Sequence, residues 1–368
     1  MVPAIAVDTT TMTTTRIFPV DPPDGPGAGV GGEVRGEGEG VSMRGVLYRP
    51  IRGEATSGAR TCHRLDEPGG RASPTRMSNQ GLAELITYLR ANAPTSTTPA
   101  DMRAWFVSMM RVTPPPAEAR LEPSACDVPA SWITPPGVDP GRVLLYLHGG
   151  GYIIGSPETH LETIFRLAQA SGARALAVDY RLAPEHAWPA CREDAVAAYR
   201  WLLAQGVAPS RVAIAGDSAG GGLTLSTLLA LRDAGLPLPA CAAFLSPWVD
   251  FTLSGPSSKT NGAQDPLVDP SNLALMAGAV LQGNDPAKSS PLFAELGGLP
   301  PLFVQVGTAE VLLDDSHRLV DRVKAAGGEA VLDAWQHMIH GFQAFPTFLP
   351  EAIGATARAG EFLRSKLA

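Results

Sequence analysis

Six short, strongly apolar runs divide this chain: residues 143–147, 173–178, 211–215, 242–245, 302–306 and 330–334. A strand buried on one face alternates apolar and polar side chains, whereas a strand covered on both faces reads as a continuous apolar run. Several of these runs are continuous, so the sheet they form must be covered on both faces. The cover lies between them, as helical patterns over 159–171, 191–205, 219–234, 315–327 and 350–367. Repeated strand–helix alternation predicts an α/β fold, a mostly parallel sheet flanked by helices. No internal repeat accompanies it.

Of the 368 residues, 45% are apolar and only 18% charged, enough material for a sizeable core. The formal net charge of −7 is spread along the chain with no Lys/Arg run, which argues against nucleic acid or an anionic membrane as partner. No apolar stretch reaches the roughly 20 residues of a membrane span. The N-terminus lacks the basic and apolar regions of a signal peptide. Four cysteines, Cys62, Cys126, Cys191 and Cys241, show neither metal-ligand nor redox spacing. They read as free thiols in a reducing, cytoplasmic setting, and no metal or cofactor is expected.

Residues 1–76 have a different character. "TTTMTTT" and "GPGAGVGGEVRGEGEG" offer few large apolar side chains to offset the entropy of ordering, so this stretch is expected to be a flexible extension, dispensable for activity. Met77 reads as a natural start of the folded part, 77–368. Leu82, Leu85, Ile86 and Leu89 then make one helical stripe. A second helix is predicted to begin at Thr98 or Pro99 and to stop before the prolines at 114–116. Extended stretches are expected at 117–121 and 130–133.

The segment "RVAIAGDSAGGGLTL" places Gly216-Asp217-Ser218-Ala219-Gly220, a G-x-S-x-G pattern, between a strand and a helix. A serine at such a junction sits on a tight turn that lifts its hydroxyl clear of the sheet, next to helix N–H groups that favour negative charge. Ser218 is therefore the candidate nucleophile, and it needs a base. The base should follow it in the chain, oriented by an acid lying between the two. Only His317, His337 and His340 qualify. His317 falls on a charged helical face; His340 lies deeper in its loop than His337, ahead of Gly341, and is preferred. For the acid, Glu310 lies in the loop after the 302–306 strand and is the first choice, with Asp314 second. Asp314 and Asp315 fall where the next helix starts, where carboxylates act as caps.

An acyl-transferring serine also needs N–H donors for the oxyanion of its tetrahedral intermediate. "LHGGGY" leaves a strand through His148-Gly149-Gly150-Gly151, whose bare backbone exposes amides to an approaching carbonyl, with the N–H of Ala219 opposite. A phosphate cradle would need a Gly-Lys-Ser/Thr sequence after the glycines, and a tyrosine stands there instead.

"HGGGY" and "GDSAGG", together with "DYRLAPEHAWPA", "SPWVD" and "HGF", resemble the hormone-sensitive-lipase-like family of α/β-hydrolases in its bacterial esterase branch. The resemblance runs from about Met77 to the C-terminus. It implies Ser218 as nucleophile, His340 as base, and Gly149, Gly150 and Ala219 as oxyanion donors. Where most of the family has "DxLxD", this chain has "EVLLD", with Glu310 at the position of the first aspartate. The resemblance further implies a helical cap, built from about 77–112 and 252–289, and pairing of two copies through the last strand and helix. Trp105, Phe106, Met109 and Met110 either line an acyl pocket or form the cap's own apolar core. Tyr152 and Tyr180 either border the pocket or pack beneath it. Arg181 and Glu185 are expected to fix their loop through charged hydrogen bonds, and His186 to be structural.

The expected activity is that of a serine carboxylesterase acting on short-to-medium acyl esters, small-molecule substrates, through an acyl-enzyme. The same machinery serves lactone or amide hydrolysis. A non-catalytic small-ligand receptor on this fold is the rival from another class, disfavoured because every catalytic role has a candidate residue.

Overall fold

An eight-stranded sheet forms the spine of the computed structural model, which describes residues 79–368. The expected extension over 1–76, with Cys62, lies outside the described residues. Helices α1 (Asn79–Ala91) and α2 (Pro99–Met110) come first, then strands β1 (Glu122–Pro123), β2 (Ala130–Ile133) and β3 (Asp139–Leu147). Alternation follows: α3 (Leu161–Ser171), β4 (Ala173–Val178), α4 (Ala190–Ala204), β5 (Val212–Asp217), α5 (Ala219–Asp233) and β6 (Cys241–Leu245). Three helices interrupt it, α6 (Ser257–Thr260), α7 (Pro270–Leu281) and α8 (Pro286–Ser289). It resumes with β7 (Leu302–Gly307), α9 (Leu313–Ala325), β8 (Ala330–Trp335) and α10 (Pro350–Lys366).

The spatial order is β1-β2-β4-β3-β5-β6-β7-β8. The pairs β1–β2 and β2–β4 are antiparallel and every later pair is parallel. As the continuous apolar runs require, both faces are covered. Leu144, Tyr146, Ala213, Ala215 and Ala243 meet Ile164 and Leu167 of α3 and Leu363 of α10. The alternate residues Leu145, Leu147, Ile214 and Phe244 meet Leu202 of α4, Leu223 of α5 and Leu319 of α9. Burying each leucine, isoleucine or phenylalanine among them contributes about 1.5–3 kcal/mol, which fixes the strand register and with it the positions of the strand ends.

Local chemistry sets several boundaries. Thr98 caps α2, its side chain accepting from the Asp101 N–H at 3.3 Å, with Pro99 at the first helical position. The stretch 117–121 is a turn rather than a strand. Arg120 donates to the carbonyls of Ala117 and Ala119, and the Ala119 N–H closes onto Pro116, so these groups are lost to any ladder. Pairing begins only at Glu122. Arg211 closes a short turn ahead of β5 rather than starting the strand.

No helix among the described residues is long and apolar enough to cross a membrane. Cys126, Cys191 and Cys241 are free thiols. Helices α1 and α2, with α6 to α8, fall in the two stretches expected to form a cap.

Candidate active site

The turn from β5 into α5 holds Ser218 at φ 52° and ψ −120°, a conformation that costs on the order of 1–3 kcal/mol for a non-glycine residue. Backbone bonds offset that strain. The Ser218 N–H donates to Leu245 at 2.8 Å, and its carbonyl accepts from Gly221, Gly222 and Trp248. The following glycine is demanded by close approach, because a Cβ on Gly220 would fall far inside contact distance of the Leu147 carbonyl. So β3 and the start of α5 lie almost backbone to backbone, and the serine projects beyond both.

Behind β8, Met338 and Ile339 bury themselves among Phe342, Phe345, Leu349 and, from the α1–α2 layer, Leu85, Leu89 and Met110. That anchorage delivers His340, which is 7% exposed, to the serine. Its Nε2 lies 2.9 Å from Ser218 Oγ, across a sequence separation of 122 residues, and its Nδ1 lies 3.1 Å from Glu310 Oε2. The other oxygen of fully buried Glu310 accepts from the Gly307 N–H at 2.6 Å and the Ser246 hydroxyl at 2.7 Å. Asp314 is occupied elsewhere, accepting from the Ser257 N–H at 2.5 Å. His337 is exposed, its N–H bonded to Thr308 Oγ1, and His317 is exposed on α9. Burial disfavours a charged imidazole at His340. The bond and charge of Glu310, aided by Asp265 and Asp217, outweigh it and hold the ring above the ordinary imidazole range.

The glycine loop corrects one expectation. The Gly149 N–H already donates to Asp217 Oδ1 at 3.0 Å and is not free for an oxyanion. Gly150 and Gly151 instead border the same cavity as Ser218. Gly150 sits at φ 111°, where a side chain would collide with the Ile154 carbonyl, and its own carbonyl receives the N–H groups of Ile153 and Ile154. His148 Nδ1 lies 2.8 Å from the Gly149 carbonyl, an acceptor only, so that nitrogen carries the proton. The Gly149–Gly150 peptide is trans, and its N–H points opposite to that anchored carbonyl. Ala219 opens α5, where a backbone N–H has no partner within the helix.

A family model described as alpha/beta hydrolase fold matches residues 144–344. The chain belongs to the α/β-hydrolase family. An acetyl-hydrolase of Streptomyces hygroscopicus is 48% identical over 238 residues, covering 64% of this chain and 79% of that protein. A solved structure described as an esterase from the bacterial hormone-sensitive lipase family shares 47% identity at a TM-score of 0.77, covering 79% of this chain and 99% of that one. EstE5, in a crystal soaked with p-nitrophenyl butyrate, shares 43% identity at a TM-score of 0.75, with coverages of 79% and 99%. This α/β-hydrolase therefore falls in the bacterial hormone-sensitive-lipase branch of its family.

Above Ser218 the hydrolase encloses a cavity of about 460 Å³. Trp105, Phe106, Met109 and Met110 of α2 border it, as do Leu273 and Met276 of α7. Met109 and Met110 also pack into the layer that anchors His340, so they serve wall and core together. Tyr152 and Tyr180 do not border the cavity. Tyr152 is buried against Trp188, Trp248 and Phe251, and Tyr180 stacks on His148 at 4.2 Å while donating to the His148 carbonyl. Both are displaced from a pocket role by the aromatic layer that supports the glycine loop from beneath.

The hydrolase's charged loop residues work on separate partners. Arg181 pairs with Asp194 and Glu193, whereas Glu185 takes Arg103 of α2 in a two-pronged bond at 2.8 and 2.7 Å. Arg103 donates as well to the carbonyls of Ile153 and Ala183, tying α2 to the glycine loop's exit. His186 is exposed. Ser246, Asp265, Arg103, Asp217 and His160 are not among the site residues the sequence points to. Of these only Asp217, immediately before the nucleophile, carried a positional signal.

Proposed function

We propose that Ser218, His340 and Glu310 carry out the ester hydrolysis of this enzyme through an acyl-enzyme, on esters of short-to-medium acyl chains. As a member of its family the chain is a carboxylic ester hydrolase. The observation that carries the proposal is the unbroken line from Glu310 through His340 to Ser218, ending at the floor of an apolar cavity.

Ser218 Oγ attacks the ester carbonyl carbon while His340 Nε2 takes the hydroxyl proton. Glu310 keeps the proton on Nδ1, so Nε2 is free to accept, and it stabilises the imidazolium that forms. The carbonyl oxygen becomes an oxyanion and draws on the N–H groups of Gly150, Gly151 and Ala219; Gly149 has no part in this set. Each well-placed donor lowers the barrier by about 2.7–4 kcal/mol. Collapse breaks the C–O bond of the alcohol, which leaves with the proton from His340. Water then repeats the sequence: His340 takes its proton, hydroxide adds to the acyl carbon, and the acid departs as Ser218 recovers a proton. The apolar wall and the cavity's modest volume support acyl chains of short to medium length, since aliphatic carbon gains about 0.8 kcal/mol per buried CH₂.

Ser218→Ala should abolish turnover of p-nitrophenyl butyrate while the protein keeps its fold by circular dichroism. Persisting turnover in the purified variant would reject the assignment.

A further inference from the structure

Asp217 and His160 take no part in the proton path above, yet both border the cavity. Asp217 Oδ1 accepts from the Gly149 N–H at 3.0 Å and from the Tyr146 hydroxyl at 2.7 Å, and Oδ2 faces His160 Nε2 at 3.3 Å. On the far side of its ring, His160 Nδ1 meets the Ser156 carbonyl at 3.2 Å and Thr159 Oγ1 at 2.9 Å. Of these two the Ser156 carbonyl can only accept, and it lies 2.9 Å from Thr159 Oγ1, where it can also take the threonine's proton. Both ring nitrogens of His160 therefore face acceptors, and a ring that donates from both is imidazolium.

We infer that His160 and Asp217 form an ion pair at the cavity wall that positions the oxyanion loop. The inference rests on the serine-esterase reading for its kinetic consequence, not for its geometry. Gly149 is gripped at both ends, its N–H by Asp217 and its carbonyl by His148, so the peptide that presents the Gly150 N–H cannot rotate. His160 has a second effect. A lone carboxylate beside the nucleophile would repel the developing oxyanion, and the imidazolium cancels that charge.

The surroundings agree with this assignment. Burial alone would neutralise both partners, but each holds the other charged: Asp217 lies below and His160 above its ordinary range. The neighbouring His148, its ring 5.4 Å away, is driven to about 3 by burial and by His160, so the local positive charge resides on His160. Phe106 of α2 packs against His160 at 5.7 Å and helps to bury that ring, while the Asp217 side chain stays partly open to the cavity.

The test compares wild type with His160→Leu, which loses the bond and the charge, and His160→Gln, whose amide can still donate to Asp217. Four quantities are read: kcat and KM on p-nitrophenyl butyrate, inhibition by an alkyl boronic acid that forms a tetrahedral adduct on a serine hydroxyl, and amide hydrogen exchange across 148–155. An interaction realised only in the tetrahedral state lowers kcat and analogue affinity together. His160→Leu should lose about ten- to hundred-fold in kcat, less than outright removal of a donor. The boronic acid's inhibition constant should weaken by the same factor, with KM within about two-fold. His160→Gln should recover part of both, and the Gly149 amide should exchange faster in the leucine variant. Unchanged analogue affinity and loop exchange in folded His160→Leu would overturn the inference, as would a loss confined to KM. Should the leucine variant not fold, His160→Gln decides by the same readings. A wild type inert toward ester and boronic acid would sink the esterase reading, leaving loop exchange to judge the pair.

Discussion

Replacing Glu310 by glutamine removes a single charge and one acceptor from the deepest part of the site, and its effect can be worked out atom by atom. The glutamine keeps one oxygen. The Gly307 N–H and the Ser246 hydroxyl both converge on Oε1, at 2.6 and 2.7 Å, and they claim it. The amide NH₂ must then face His340 Nδ1. An NH₂ group donates, so Nδ1 becomes the acceptor and the ring proton moves to Nε2, against Ser218 Oγ. A ring protonated there cannot take the serine's proton. In a Ser-His-Asp protease triad the wrong tautomer lowers kcat about 10⁴-fold, a barrier increase of roughly 5 kcal/mol at 1.36 kcal/mol per decade. A loss of three to four decades is expected here. The pH profile should move as well. His340 acts as the neutral ring, so kcat/KM rises with pH through its pKa, and in wild type that rise should centre above the ordinary imidazole value of about 6.5. Without the Glu310 charge, burial is less opposed and the residual rise should shift to lower pH. Steady-state kinetics on p-nitrophenyl butyrate from acid to mildly alkaline pH measure both effects. Asp314→Ala is the matched control, expected to keep kcat within about three-fold because Asp314 serves Ser257. If Glu310→Gln stays within ten-fold of wild type, or Asp314→Ala loses more, the acid has been misassigned.

Three further outcomes follow from other parts of the molecule. Gly220→Ala drives a methyl into the Leu147 carbonyl and should destabilise by about 3 kcal/mol in urea unfolding; a change under about 1 kcal/mol would mean that the strand–helix junction yields. Burial raises Asp315 to about 7 although it accepts from the Val249 and Asp250 N–H groups, so between its unfolded value of about 3.9 and that raised value the native state holds a proton the unfolded chain releases. Stability should therefore fall as pH climbs through that window, by on the order of 4 kcal/mol in total, and Asp315→Asn should erase the decline. Equal Asp315→Asn effects at pH 5 and pH 8 would contradict it. Finally, β8 is an edge strand carrying exposed Val331, with Ile353 of α10 exposed as well, and two copies are expected to pair there. Sedimentation should give a dimer that Val331→Lys dissociates, and a monomeric wild type at micromolar concentration would remove the expectation.

Features set by local rules were readable in advance. The start of α2 at Pro99 follows from a threonine cap and a proline at the first helical position, both chemistry of adjacent residues. The sheet's double covering follows from runs with no polar alternation. Ser218 and His340 could be singled out because a strand–turn–helix context and a chain order narrow the choice. Glu310 is preferred over Asp314 because it falls in the loop and Asp314 at the start of α9, but the contacts that decide between them are not in the local pattern. Their partners, Ser246 in one direction and Ser257 in the other, sit more than fifty residues away. Over 117–121 Arg120 bonds its own local carbonyls, which no strand periodicity reveals.

The order of residues alone determined that this chain makes a doubly covered, mostly parallel sheet, and that a serine stands at the end of one of its strands. Both follow from periodicity and turn geometry, which act over a few residues at a time. Which amides remain free was decided by the folded arrangement. Gly149, Gly150 and Gly151 are indistinguishable as letters, but only the first meets Asp217, 68 residues later. A hydrogen bond spent across such a separation is a property of packing, because the donor's neighbours in the chain carry no record of what the fold will bring against it.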